Sequence, residues 1–232
     1  MRPTAAEIAE GAALLRRADW FASSAPDFQA AVLAQCQWHW FAAGVAVTHG
    51  GDTDGGMVGI ARGAVSIIPA IGPPDVPMIH IADAPYWLGA YPLVDHRPRL
   101  VSAIARTRCL VALAPRAVVG ALLAEHPLWW RFITLHMCEV MDTASQIATD
   151  LLIPDSRRRC IAALLRIAGC REVGTAPAKA AMTRDELAGM ANLSRQTIGP
   201  ILHALADAGH ITISYRSIVL NDPAALRDIA DT

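Results

Sequence analysis

With 232 residues, 53% of them apolar, the chain is long enough for one large domain or two small ones around a sizeable core. A net charge of −1 argues against indiscriminate binding to nucleic acid, although residues 155–232 hold ten Lys/Arg against eight Asp/Glu while residues 1–154 hold ten against thirteen. Five cysteines (36, 109, 138, 160 and 170), odd in number and without a Cys-x-x-Cys pair, exclude an evident zinc or iron–sulfur framework and fit a reducing cytosol.

The opening stretch predicts an amphipathic helix over 4–20, with Ile8, Leu14 and Leu15 apolar among Glu7, Glu10, Arg16 and Arg17. Those charges fit neither a signal peptide nor a membrane span. A second helix is expected from Ala25 to Gln35. From Trp38 to about Leu113, short β-rich runs are broken by Gly44, Gly50-Gly51, Gly55-Gly56, Gly63, Gly72 and Gly89, the texture of a small barrel or roll. Further strands are expected through His80–Tyr91, and Pro115–Glu125 reads as a short closing helix.

A long helix is predicted over Leu128–Leu152, with His126-Pro127 as cap and first-turn proline. Ile133, Met137, Val140, Ala144, Ile147 and Leu151 step 4-3-4-3-4, the seam of a two-helix coiled coil. Phe132 and Leu135 lie off that seam, where they can cover the roll. The alternative is an ordinary buried face in a monomer. Pro154-Asp155 reads as a hinge, Asp155–Gly169 as a helix with Ile161, Leu164 and Leu165 inward, and Arg157-Arg158-Arg159 as a solvated face, with a phosphate clamp as the alternative. Cys170–Ala181, with Gly174, Pro177 and Lys179, reads as a loop.

The last stretch is the most informative. Thr183-x-x-Glu186 is a capping box that starts a helix at Arg184, with Leu187, Met190 and Ala191 inward. Asn192-Leu193 turns the chain, and Ser194 caps a second helix with Ile198, Ile201, Leu202 and Leu205 on its buried face. Gly209 ends it, and Ile211–Ser214 and Ile218–Leu220 follow as a hairpin turning through Tyr215-Arg216; Asp222 then caps a short last helix with Pro223 just inside. Helix, turn, helix and hairpin make a winged helix-turn-helix, whose second helix enters the major groove of DNA. Arg195, Gln196 and Thr197 occupy its first turn, where Arg pairs with guanine and Gln with adenine. Thr183, Arg184, Ser194 and His203 are placed to meet phosphates or the groove edge.

The run Thr183-Arg184-x-Glu186-Leu187-Ala188, with Leu193-Ser194-Arg195-Gln196-Thr197-Ile198, resembles the cyclic-AMP receptor protein / fumarate-nitrate regulator (Crp/Fnr) family. Gly51-Asp52, seven residues, Ile60, two residues and Gly63-x-Val65 is similar to that family's β-roll signature, so the resemblance covers nearly the whole chain. It implies a dimeric bacterial transcription regulator with a roll-shaped sensor. Members that bind cyclic nucleotides use Gly-Glu, Arg-Ser/Thr and a polar group on the dimer helix. The matching residues here are Gly89-Ala90, Arg99-Leu100 and Ser145. Ala90 cannot accept from a ribose and Leu100 cannot donate to a phosphate, so cyclic AMP is not expected; another anion, an apolar ligand or none remains open. Trp87, Tyr91 and Arg99 are the first candidates for lining a pocket, with plain core packing as the alternative for both aromatics. The iron–sulfur members' N-terminal cysteine group is missing before Cys36. Many members carry a second Arg in the recognition helix where this chain has Pro200, beside Gly199; proline there costs a regular helix about 3 kcal/mol.

The expected architecture is α+β: a cyclic-nucleotide-binding-like β-roll (jelly roll) with flanking helices over 1–126, a dimerisation helix over 127–153, and a winged helix-turn-helix over 154–232. The expected function is a cytoplasmic, homodimeric regulator binding double-stranded DNA at an inverted repeat, with RNA polymerase as partner, no membrane, no cofactor and no metal. A cyclic-nucleotide-responsive regulator and a ligand-binding module without DNA function are the alternatives. An enzyme built on the barrel has no catalytic residues to name: the histidines, His39, His49 and His80 among them, show no ligand spacing.

Overall fold

The computed structural model describes residues 2–71, 78–174 and 178–231; Gly72 and Pro177 lie outside that range. Thr4 caps the first helix, α1 (Ala5–Leu15), through a full capping box with Glu7. The helix expected over 4–20 stops at Leu15 and a short α2 (Asp19–Ala22) follows. The cause is burial. Leu15 and Trp20 both enter the core, yet they would stand about 140° apart on an unbroken helix. Next comes α3 (Pro26–Ala34), with proline in its first turn.

The roll consists of β1 (Gln37–Phe41), β2 (Ala46–Thr48), β3 (Gly56–Arg62), β4 (Ala64–Pro69), β5 (His80–Asp83), β6 (Tyr86–Leu88), α4 (Ala90–Asp95), β7 (Val101–Ala105) and β8 (Cys109–Pro115). Its strands form two sheets, ordered β1-β8-β3-β6 and β2-β7-β4-β5. Gly63 makes the turn from β3 to β4 at φ 90°, a left-handed conformation that suits glycine. The strands expected through Tyr91 end at Leu88. Gly89 turns left-handed at φ 101°, and Ala90 and Tyr91 open α4 instead.

Helix α5 (Arg116–Glu125) closes the roll, and one 3-10 turn at Pro127–Trp129 leads into α6 (Trp130–Leu152); His126 makes no side-chain cap there. Rings of Trp20, Phe21, Phe28, Trp87 and Phe132 form one aromatic cluster, with Phe21–Trp87 centroids 4.9 Å apart and Phe28–Phe132 5.0 Å apart. That cluster claims the first turns of α6. Ile133, expected on the dimer seam, is 1% exposed in this core, and Met137 packs against it. Leu135, expected to cover the roll, is instead exposed. The exposed stripe runs one residue further along, through Thr134, Cys138, Met141, Ser145, Ala148 and Leu152, again at steps of 4-3-4-3-4. Met141 is 64% and Leu152 81% exposed. Val140, Ala144 and Leu151 flank that stripe in solvent, while Ile147 is half-buried.

Two compact units result, Met1–Val76 with Ile81–Met141, and Pro77–His80 with Asp142–Thr232. The expected borders at 126/127 and 153/154 do not coincide with this division, which falls inside α6. In the second unit Asp155 caps α7 (Ser156–Ile167) by accepting from the Arg158 amide at 2.8 Å. Two of the three arginines expected as a solvated face are half-buried pins. Arg158 Nε donates to the Ala230 carbonyl and Arg159 Nε to that of Ala191, both at 2.9 Å. Arg159 also donates to the carbonyls of Ile153 and Pro154, so the Pro154 segment is fastened to α7. Asp150, near the end of α6, is buried between the Arg166 guanidinium, 2.8 Å away, and that of Arg171. Burial pushes Arg166 down to about 10, so it stays charged at neutral pH and needs its carboxylate.

The expected loop over 170–181 contains a strand, β9 (Ala178–Ala180). After α8 (Arg184–Met190) and α9 (Arg195–Asp207) come β10 (Ile211–Ser214) and β11 (Ser217–Leu220), and β9 pairs with β11 to complete a three-stranded wing. The final α10 (Pro223–Asp231) starts where Asp222 accepts from the Ala225 amide at 3.0 Å. Among the described residues, no helix is long and apolar enough to cross a membrane.

Candidate nucleic-acid interface

Local backbone chemistry sets the two interface helices. Thr183 Oγ1 accepts from the Glu186 amide at 3.2 Å and the Glu186 carboxylate accepts from the Thr183 amide at 2.7 Å. Leu187, Ala188 and Met190 then face inward. Asn192 takes φ 50°, a left-handed turn position that asparagine tolerates, and the Leu193 amide returns to the Ala188 carbonyl at 2.9 Å. Ser194 caps α9 by accepting from the Thr197 amide at 3.1 Å, and the two hydroxyls lie 2.8 Å apart. Both hydroxyls are thereby engaged in fixing the helix start, beside their neighbours Arg195 and Gln196.

Those neighbours stand in solvent. Arg195 is 80% exposed and its guanidinium meets Asp185 at 3.0 Å. A pair this open contributes about 0–1 kcal/mol, less than the roughly 1–3 kcal/mol of a bidentate guanine contact, so a duplex would win Arg195 from Asp185. Gln196, Pro200, His203 and Asp207 continue the exposed face of α9, opposite the buried Ile198, Leu202 and Leu205. Ile201, expected inward, is half-buried. Pro200 does not break the helix, which runs unbroken to Asp207. The carbonyl of Gln196 loses its helical donor, but it lies on the wet face where water serves. Arg184 is exposed at the first position of α8.

The wing adds residues that the sequence reading left out. Between its turn and the first residues of α8 lies a cleft of about 420 Å³, lined on one side by Thr183 and Arg184 and on the other by Tyr215 and Arg216. The signal was available in the sequence: an aromatic and a cation at the tip of a two-residue hairpin turn.

The expected effector residues are not gathered into one lining. Trp87 and Ala90 are buried in the roll's core, Trp87 inside the aromatic cluster. For Trp87 core packing therefore holds. Tyr91 is half-buried, Leu100 is 43% exposed and Ser145 is exposed on α6. Arg99 and Gly89 do come together: the Arg99 guanidinium donates to the Gly56 carbonyl at 3.0 Å, and a Cβ on Gly89 would lie 2.2 Å from that oxygen. Burial lowers the Arg99 pKa, against the opposing pull of Asp52. Arg116, not singled out in the sequence, flanks the neighbouring Gly55, and its buried Nη1 has no hydrogen-bond partner. Among the described residues no group of three His, Cys, Asp or Glu side chains could hold a metal ion.

Residues 158–229 match the family model of the Crp-like helix-turn-helix domain. No curated protein matches the chain. Solved structures do. A protein of Ruegeria pomeroyi, described provisionally as cyclic nucleotide binding, is 19% identical over 99% of this chain and 100% of its own, with a TM-score of 0.66. The c-di-GMP responsive global regulator CLP of Xanthomonas campestris is 20% identical over 85% of this chain and 99% of its own, with a TM-score of 0.66. A transcriptional regulator of the CRP/FNR family from Thermus thermophilus is 20% identical over 84% and 99%, with a TM-score of 0.64. The chain thus carries a Crp-like helix-turn-helix domain at residues 158–229 and has the fold of the Crp/Fnr transcription regulators.

Proposed function

We propose that the chain is a cytoplasmic, sequence-specific transcription regulator that binds an inverted-repeat operator as a homodimer and acts through RNA polymerase, with no catalytic activity. One observation carries the reading: the first turn of α9, capped by Ser194, holds Arg195 and Gln196 in solvent on a Crp-like helix-turn-helix. The exposed stripe of α6, with Met141 64% and Leu152 81% exposed, supports the homodimer, whose twofold pair of recognition helices would need half-sites about one helical turn, 34–36 Å, apart. Selection of bound sequences from random duplexes tests it. Enrichment of an inverted repeat with that spacing is expected; recovery of unselected sequence would end the proposal.

The sensor does not take cyclic AMP on this reading. Ala90 offers no acceptor and is buried, Leu100 offers no donor, and Arg99 is bonded to the Gly56 carbonyl. One charged partner remains where a cyclic nucleotide needs several, and its unpaired polar atoms would each cost about 1–3 kcal/mol. Calorimetry at millimolar cyclic AMP is expected to show no saturable heat; CLP is c-di-GMP responsive, so cyclic di-GMP belongs in the same titration. Saturable micromolar binding with altered DNA affinity would restore the nucleotide-sensor reading.

A further inference from the structure

Helix α9 holds two poor helix formers side by side in its interior, Gly199 and Pro200, and the fold asks for neither. A Cβ added to Gly199 would meet nothing within 4 Å among the described residues, and its backbone is helical. Neither space nor a left-handed turn therefore calls for glycine there. Pro200 is exposed, away from the buried Ile198, Leu202 and Leu205, so its ring packs no core. Both residues instead lie on the face that begins with Gln196 and continues through His203. At Gly199 that face is bare backbone, which lets another surface approach the helix closely. At Pro200 it is a ring without an N–H, an apolar contact that offers no hydrogen bond. A surface suited to this pair presents a small apolar group, and in the major groove that group is the C5-methyl of thymine.

We propose that Gly199 and Pro200 read a thymine methyl in each operator half-site: the glycine permits the approach and the proline ring covers the methyl. The inference rests on the DNA-binding reading above and adds a base to it. Pro200 stands one helical turn beyond Gln196, about 6 Å along the axis. With base pairs about 3.4 Å apart, the thymine is expected about two steps from the adenine that Gln196 would meet.

Deoxyuridine differs from thymidine by that methyl alone, which makes it the probe. In the best selected duplex, each thymidine of one half-site is exchanged for deoxyuridine in turn. At a single position the exchange should weaken wild type about fourfold, the effect of one methyl left in water. Pro200→Ser, which lacks the apolar ring, should bind the two duplexes alike at that position. Pro200→Val, which restores an apolar cover, should keep most of the ratio. Both variants should raise the thermal midpoint, since serine and valine suit a helix interior better than proline, so a lost ratio would not reflect a damaged fold. Equal affinity of wild type for thymidine and deoxyuridine at every position would overturn the methyl contact and leave the inverted-repeat reading standing. A ratio unchanged in Pro200→Ser would assign the methyl to another side chain and overturn it too. A lowered midpoint in both variants would show the proline to be structural, with the same consequence. A wild type that enriches no duplex would remove both readings.

Discussion

In the helix-turn-helix, Arg184, Arg195 and Gln196 stand in water on helices whose starts are fixed by Thr183, Glu186 and Ser194 within three residues. In the roll, the pocket candidate Trp87 and the motif residue Ala90 lie in the core, and the Arg99 guanidinium is bonded to the Gly56 carbonyl. The difference shows where a motif keeps its meaning. A polar side chain held out by a local cap remains available to a ligand. One whose position depends on distant apolar neighbours is free to become structure.

The largest expected effect lies inside the DNA-binding unit. Asp150→Asn leaves Arg166 and Arg171 facing each other in a buried site without their carboxylate. Removing one partner of a buried pair costs about 3–5 kcal/mol, and the unit's thermal midpoint should fall accordingly. A midpoint within a degree of wild type would mean that the network is incidental. The comparison along α6 is sharpened by two substitutions. Ile133→Ala should destabilise the roll by about 2–5 kcal/mol without changing the association state. Met141→Glu, on the exposed stripe, should do the reverse: a monomer in sedimentation, with the roll's stability kept. If Ile133→Ala gave monomers and Met141→Glu did not, the seam would lie one residue back.

A smaller effect depends on pH. His136 is buried on α6, stacked on Trp20 with centroids 4.8 Å apart, and neither ring nitrogen has a hydrogen-bond partner. Burial pushes its imidazole down to about 4, and no charged group contributes to that shift. The folded value lies below the ordinary one, so the neutral ring is favoured by folding. The stability it confers is complete above about pH 6.5 and is lost as pH falls from there toward about 4, by an amount on the order of 3 kcal/mol. Denaturant unfolding of the roll across that range measures it, and His136→Phe, which keeps the stack, should flatten the curve.

The sequence discloses what neighbours in the chain decide. The Thr183–Glu186 box, the Ser194 cap, the Asp222 cap and the Gly63 turn all appear where local chemistry puts them. The Thr4–Glu7 box is equally local, four residues that cap α1 by themselves. Long-range choices were not legible. Phe28 and Trp87 draw the Phe132–Ile133 face of α6 into the roll, and a 4-3 spacing cannot say which of two adjacent stripes will be drawn in. Ala178–Ala180 carries no strand signature and pairs only because β11 has a free edge beside it. Arg158 and Arg159 look like any surface run until the carbonyls of Ala230 and Ala191 arrive from distant segments.

The most direct test of the account is the affinity of wild type, Arg195→Ala and Arg184→Ala for the best selected duplex and for its single-base variants. Arg195→Ala should lose roughly 1–3 kcal/mol on the best duplex and cease to discriminate at one base pair per half-site. Arg184→Ala should weaken every duplex alike and lower the salt slope by about one ion per subunit. Full discrimination in Arg195→Ala would contradict the account, since α9 would then not face the bases.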